Sequence, residues 1–201
     1  PLTEVANPED YVGPLKEEHR RINDEVQKFF DANIQMVEEN GKMAYSTKLP
    51  YRINEDTKIP TNRSIALKRL QSVCKTFNGN EGLKEVYNET MQSQLERGIL
   101  EIVDETAKPD GKRIHYLAHQ PVITPGKSTE TRIVMDGSAH FKGELSLNDA
   151  LHQGPVLMPN LVGTLLRFRL YEKVLISDIE KAFLTVRIDK SDRDACRILW
   201  L

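Results

Sequence analysis

An α+β fold is predicted for this 201-residue chain, with its helical part ahead of most of its strands. Two observations carry the prediction. Residues 60–97 hold two consecutive runs of apolar side chains at three-four spacing, the period of a helix with one buried face. After Gly98 the pattern changes to short extended segments separated by turn formers. Regular strand-helix alternation does not occur, which separates this order from a parallel α/β sheet.

The elements follow in order. Residues 1–13 hold turn formers and acids and read as a linker or an ordered arm. Residues 15–37 have a helical period, with Ile22, Val26, Phe29 and Phe30 on one side. Residues 43–53 alternate loosely and include Pro50, as an edge strand or extended segment does. Pro60 opens a helix whose stripe is Ile65, Leu67, Leu70, Val73, Cys74 and Phe77, and Gly79 stops it. A second helix over 82–97 places Leu83, Val86, Tyr87, Met91 and Leu95 together, with Gly98 ending it. The plain reading of this pair is core packing.

Strands are expected at 99–103, 114–123 and 131–135, with turns at Lys108-Pro109-Asp110-Gly111 and Pro125-Gly126. Residues 143–155 read as loop and 161–168 as a short helix. Residues 174–178 read as an apolar strand ending in a carboxylate, 185–188 as extended, and 196–201 as a further strand. The chain opens at Pro1 and stops inside the apolar run Ile198-Leu199-Trp200-Leu201, so both ends read as cuts through a longer protein. The length suits one domain or one and a fraction.

Composition excludes several classes. With 29% charged and 39% apolar residues, the chain is neither disordered nor collagenous. No apolar run reaches the roughly 20 residues of a membrane span, and no basic-then-apolar signal opens the chain. Cys74 and Cys196 lie far apart, a usage that fits a reducing compartment rather than a disulfide framework. The net charge of -2 runs against the basic excess common in nucleic-acid binders. A protein that meets nucleic acid with a local basic face and metal with a local acidic one shows neither in its net charge, which averages the two.

The most informative segment is Val174-Leu175-Ile176-Ser177-Asp178-Ile179-Glu180-Lys181-Ala182-Phe183. An aspartate at the end of a buried strand costs several kcal/mol unless it is paired or binds a metal. Its hard oxygens suit Mg²⁺, although a two-metal site needs at least two such carboxylates. The alternative is an ordinary strand-end aspartate capping the next turn. His115 and His119 are four apart, a metal spacing on a helix but not on a strand. Arg167, Arg169 and Lys173 suit either a nucleic-acid backbone or a solvated face, and Asp189, Asp192 and Asp194 read as a polar turn.

Residues 176–184, followed by Asp192-Arg193-Asp194 and Ile198-Leu199-Trp200, resemble the first palm motif of reverse transcriptases of BEL/Pao-type LTR retrotransposons. In the same order, His119-Gln120-Pro121-Val122-Ile123 and Thr131-Arg132-Ile133-Val134-Met135-Asp136-Gly137-Ser138-Ala139 resemble the fingers of that family. Ser146-Leu147-Asn148-Asp149 with Gly154-Pro155, then Leu165-Leu166-Arg167-Phe168-Arg169, resemble the approach to the palm. Leu49-Pro50 and Ala66-Leu67-Lys68-Arg69-Leu70 are similar to the segment joining protease to polymerase in these polyproteins. The resemblance spans about residues 41–201, and the order and spacing of its pieces carry it.

The resemblance implies a partial right-hand polymerase, with fingers and a first palm strand preceded by a helical segment. It divides the chain into an upstream or linker segment (1–58), a helical pair (59–98), fingers strands (99–160) and the start of the palm (161–201). It implies an RNA-directed DNA polymerase that adds dNTPs to a primer with two Mg²⁺ ions. Its partners would be an RNA or DNA template-primer and the rest of the pol polyprotein, with no membrane. Its place would be the cytoplasm or virus-like particles.

By position, Asp178 would be the metal aspartate and Ile179 would offer its carbonyl. Arg132 would grip the triphosphate with Lys127 as its partner, and Phe183 would be the steric gate against a ribose 2′-OH. The plain alternatives are core packing for Phe183 and a solvated strand position for Arg132. The family's Tyr-x-Asp-Asp hairpin, thumb and RNase H region do not occur in this sequence. The fragment would then be inactive alone. The rival reading is a non-catalytic retrotransposon remnant that binds RNA or protein.

Overall fold

The computed structural model describes residues 14–39, 41–53, 57–126, 131–155, 157–179 and 182–201. The architecture is mixed α+β with two small sheets. The arm expected at 1–13 lies outside the described residues.

Helix α1 (Pro14–Asn33) stops short of the 37 expected from its period. Residues Gln35–Glu39 leave it as β1 and turn at Gly41 into β2 (Lys42–Thr47), the two pairing antiparallel with Val37 opposite Ala44. The segment expected at an edge is the central strand of its sheet, because β2 also pairs in parallel with β5 (Arg187–Ile188). Pro50 lies beyond β2 and so removes no ladder donor from it.

The helical pair forms where its period predicts, although the first helix starts at Arg63 rather than Pro60 and Leu67 and Val86 of the expected stripes are exposed. Helix α2 (Arg63–Phe77) buries Ala66, Leu70, Val73 and Phe77, one side chain per turn. Helix α3 (Glu81–Glu96) buries Leu83, Tyr87 and Met91. Asn80 caps α3 by accepting from the Leu83 N–H at 3.1 Å, one of the donors a helix start leaves unpaired. Gly98 takes φ 66° just past α3, a conformation that costs a glycine nothing. Among the described residues, Asn62 is the non-glycine residue with positive φ, at 58°. Its buried side-chain amide donates to the Ala139 carbonyl at 2.8 Å and so ties the start of α2 to the loop after the second sheet.

That sheet is a hairpin of β3 (Ala118–Ile123) and β4 (Thr131–Asp136), in register from Ala118 opposite Asp136 to Ile123 opposite Thr131. The strand expected at 99–103 does not form, and β3 starts later than the 114 expected. The apolar run 99–103 finds no ladder partner, and Ile102 is exposed. The loop expected at 143–155 contains one turn of helix, α4 (Leu147–Ala150), closed by a reciprocal Ser146–Asp149 capping box. Helix α5 (Leu161–Phe168) has the predicted bounds but buries none of its residues.

The largest departure is at 174–178, where no strand forms. No described strand pairs with this run, and Leu175 and Ile176 are 98% and 86% exposed. Residues expected as extended at 185–188 divide into a single turn of helix, α6 (Ala182–Thr185), and β5. A turn of helix, α7 (Lys190–Arg193), and a 3-10 turn (Asp194–Cys196) follow. The strand expected at 196–201 is limited to a parallel bridge from Arg197 to Tyr116. Its apolar side chains are nonetheless packed. Ile198 joins both buried clusters, one around Ile59, Leu117, Leu147, Ala150 and Ala195, the other around Val73, Phe77, Leu83, Tyr87 and Met91. Among the described residues no helix is long and apolar enough to cross a membrane.

Candidate functional site

Arg132 stands on β4 opposite Val122 and is exposed. Strand alternation puts its side chain on the face that also carries Val134 and, across the hairpin, Gln120. On the neighbouring α2, Arg69 bonds Gln120 and lies 4.0 Å from Asp136. Arg132 takes part in no ion pair among the described residues, and the paired strands present its guanidinium outward. Lys127, its expected partner, lies outside the described residues.

Asp178 lies on an exposed stretch without helix or strand, and one of its oxygens accepts the Ile179 N–H at 2.9 Å. It is therefore not the strand-end carboxylate that the apolar run suggested. Phe183, on α6, is 97% exposed and makes no ring contact among the described residues. The ring belongs to neither of the two buried clusters. Among the described residues, no hydrogen bond or ion pair brings Arg132 and Asp178 together. No group of three or more His, Cys, Asp or Glu side chains is placed to hold a metal among them. One carboxylate and one backbone carbonyl do not fit a two-ion site.

The polar chemistry that is assembled lies elsewhere. His119 is 3% exposed and both ring nitrogens are engaged. Nε2 lies 2.8 Å from the Leu199 carbonyl, which can only accept, so Nε2 carries the proton. Nδ1 then accepts from the Tyr87 hydroxyl at 2.5 Å. Tyr87 is stacked on Trp200 with ring centroids 4.8 Å apart, and Phe77 meets both rings edge-on. Burial pushes the His119 imidazole below the usual histidine range, against the opposing pull of the Leu199 carbonyl. The same burial pushes the Tyr87 phenol upward. His115 is fully buried, donates to the Pro60 carbonyl at 2.7 Å, and is likewise held low by burial. The two histidines are separate packing elements rather than a ligand pair.

Of the three acids expected in a polar turn, Asp189 caps α7 by accepting from Ser191, whose hydroxyl and N–H hold its carboxyl below the usual range. Asp192 accepts the Leu49 N–H at 2.9 Å and so fastens the chain after β2. Asp194 is buried. It takes the Arg197 guanidinium on one oxygen at 2.7 and 2.9 Å and the Gly111 N–H on the other at 2.8 Å. The bond from Gly111 to Asp194 and the Tyr87–His119–Trp200 group were not legible in the sequence, whereas Asp194 and Arg197 stand only three positions apart. A polar triplet and a lone histidine carry no signal of which distant segment will meet them.

Comparison of the chain with protein-family models, with curated proteins and with solved structures returns no match.

Proposed function

We propose that this chain is the fingers and opening palm segment of an RNA-directed DNA polymerase of BEL/Pao type. The observation that carries the reading is the ordered set of sequence blocks at 119–123, 131–139, 146–149, 165–169 and 176–184. The hairpin adds support, because the first two blocks pair along β3 and β4 and leave Arg132 facing outward. A guanidinium so placed can take a triphosphate through two parallel N–H···O contacts. Phe183, exposed five positions after Asp178, is free to lie under a nucleotide sugar.

In this reading Asp178 and the Ile179 carbonyl hold one side of a Mg²⁺ site, and a second carboxylate comes from polyprotein outside these residues. Mg²⁺, when bound, neutralises charge on the phosphates. The template-primer and dNTPs are the ligands.

The test is primer extension by the longer polyprotein product and its Asp178→Asn form, beside the 201-residue chain. Extension by the longer product, a loss of about a thousandfold or more on substitution, and no product from the short chain are expected. Full activity of the Asp178→Asn protein would refute the assignment.

A further inference from the structure

We propose that residues 167–173 are a contact site for single-stranded nucleic acid. Arg167, Arg169 and Lys173 would meet phosphates, and Phe168 and Tyr171 would stack on bases. The inference rests on the polymerase reading only for the class of ligand, and needs neither metal nor nucleotide.

The segment reads Arg-Phe-Arg-Leu-Tyr-Glu-Lys, cations interleaved with rings. All seven residues are exposed, Phe168 at 41% and Tyr171 at 71%. Neither ring has an aromatic or cationic partner among the described residues, and both rings are exposed to solvent, Tyr171 the more fully. Arg167 is held only loosely, by the Thr164 hydroxyl at 3.4 Å. None of the three cations lies within ion-pair distance of an acid among the described residues. Three cations stand against a single acid, Glu172, in a chain whose net charge is -2. The excess is therefore local, and local excess is what draws a polyanion to a protein of balanced charge.

The backbone favours repeated contact. Helix α5 ends at Phe168, and the Arg169 and Leu170 N–H groups bond the Leu166 and Arg167 carbonyls, both at 3.1 Å. That holds Arg167, Phe168 and Arg169 in a turn, and Tyr171 and Lys173 follow directly after it. A strand of nucleic acid presents the same alternation, a charged backbone and flat bases, and stacking tolerates any base. An anionic membrane is the competing occupant, since α5 exposes Leu161, Leu165 and Leu166. However, the remaining face of this two-turn helix carries only one cation, Arg167, with Gly163 and Thr164. Interfacial helices have a strongly charged polar face. Here Arg169 and Lys173 lie past the helix, among the rings.

The experiment is fluorescence anisotropy of labelled 20-nucleotide oligo(dT) and oligo(rU) with the 201-residue chain in EDTA, over a range of salt. Binding is expected, with log affinity falling against log salt with a slope of about -2 for three phosphate contacts on a single strand. The Arg167→Ala/Arg169→Ala/Lys173→Ala protein should lose most of that slope and bind at least tenfold more weakly. The Phe168→Ala/Tyr171→Ala protein should keep the slope and bind roughly tenfold more weakly or worse. All five side chains are exposed, so neither variant removes core packing.

Absence of binding at low salt would overturn the proposal. So would equal binding by all three proteins. Capture by phosphatidylserine vesicles but not by oligonucleotides, lost in the same variants, would assign the segment to membranes instead. Because metal and dNTPs are absent, failure of primer extension leaves this result untouched, and the reverse holds.

Discussion

The buried histidines should make the protein sensitive to acid, and the size of the effect can be worked out. His119 and His115 are neutral in the fold, with proton affinities pushed below the ordinary value of about 6.5 by burial. Unfolding releases both to that ordinary value. Between the folded pKa and 6.5 the unfolded chain therefore binds more protons, and stability falls as pH falls. Above 6.5 both states are neutral and the contribution is complete. A group that stays neutral in the fold costs on the order of 1 kcal/mol for each pH unit below 6.5, so the pair can cost up to a few kcal/mol over that range. That is a large part of the 5–15 kcal/mol typical of a domain.

Trp200 is the single tryptophan and is stacked on Tyr87. Its emission during urea unfolding therefore reports directly on this cluster. Unfolding free energies measured from pH 8 to 5 should fall steadily below 6.5. In His119→Gln the amide can still donate toward Leu199 and accept from Tyr87, but it cannot titrate. Its curve should fall about half as steeply. The same slope in wild type and His119→Gln, or a stability that rises with acid, would refute the reasoning.

Three further outcomes are expected. In the polymerase-competent product, Arg132→Ala should lower kcat/KM for dNTP about a hundredfold, the 2–3 kcal/mol of a charge-assisted phosphate contact; unchanged dNTP dependence would return Arg132 to a solvated strand position. Phe183→Val should admit ribonucleotides while dNTP use stays within a few-fold, and the melting temperature should not move, because Phe183 is 97% exposed. A lowered melting point with an unchanged dNTP/rNTP ratio would remove the gate assignment. Asp194→Ala should cost about 3–5 kcal/mol in urea denaturation, since it leaves the Arg197 guanidinium buried without its acid; a loss under 1 kcal/mol would show that water replaces the carboxylate.

Local pattern was readable in proportion to how locally each element is determined. Helices α2, α3 and α5 follow from apolar spacing, and the ends of α2 and α3 from Gly79 and Gly98, all signals within a few positions of each other. Strands β3 and β4 follow from β-formers around a Pro-Gly turn. Residues 99–103 and 174–178 have equally apolar runs, but a strand also requires a neighbour's backbone, which no run specifies. The hairpin with Arg132 was therefore legible, whereas the surroundings of Asp178 were not. Ile198-Leu199-Trp200 shows the intermediate case. Its burial was readable from its composition, yet it packs through side chains and a single bridge rather than as a strand.

The stack of Tyr87 on Trp200 also sets the order in which the molecule assembles. The two residues are more than a hundred positions apart, so α2 and α3 can form and pair by contacts close in sequence long before the indole reaches them. Contacts between distant positions form late, because the chain between them must first surrender its freedom. On a ribosome adding 5–20 residues each second, Tyr87 is made roughly ten seconds before Trp200. During that interval the phenol, Phe77 and His119 lack the surface that later covers them. The nascent helical pair is thus an adhesive species, and chaperone capture or clustering of growing chains would act on the face that Trp200 finally closes.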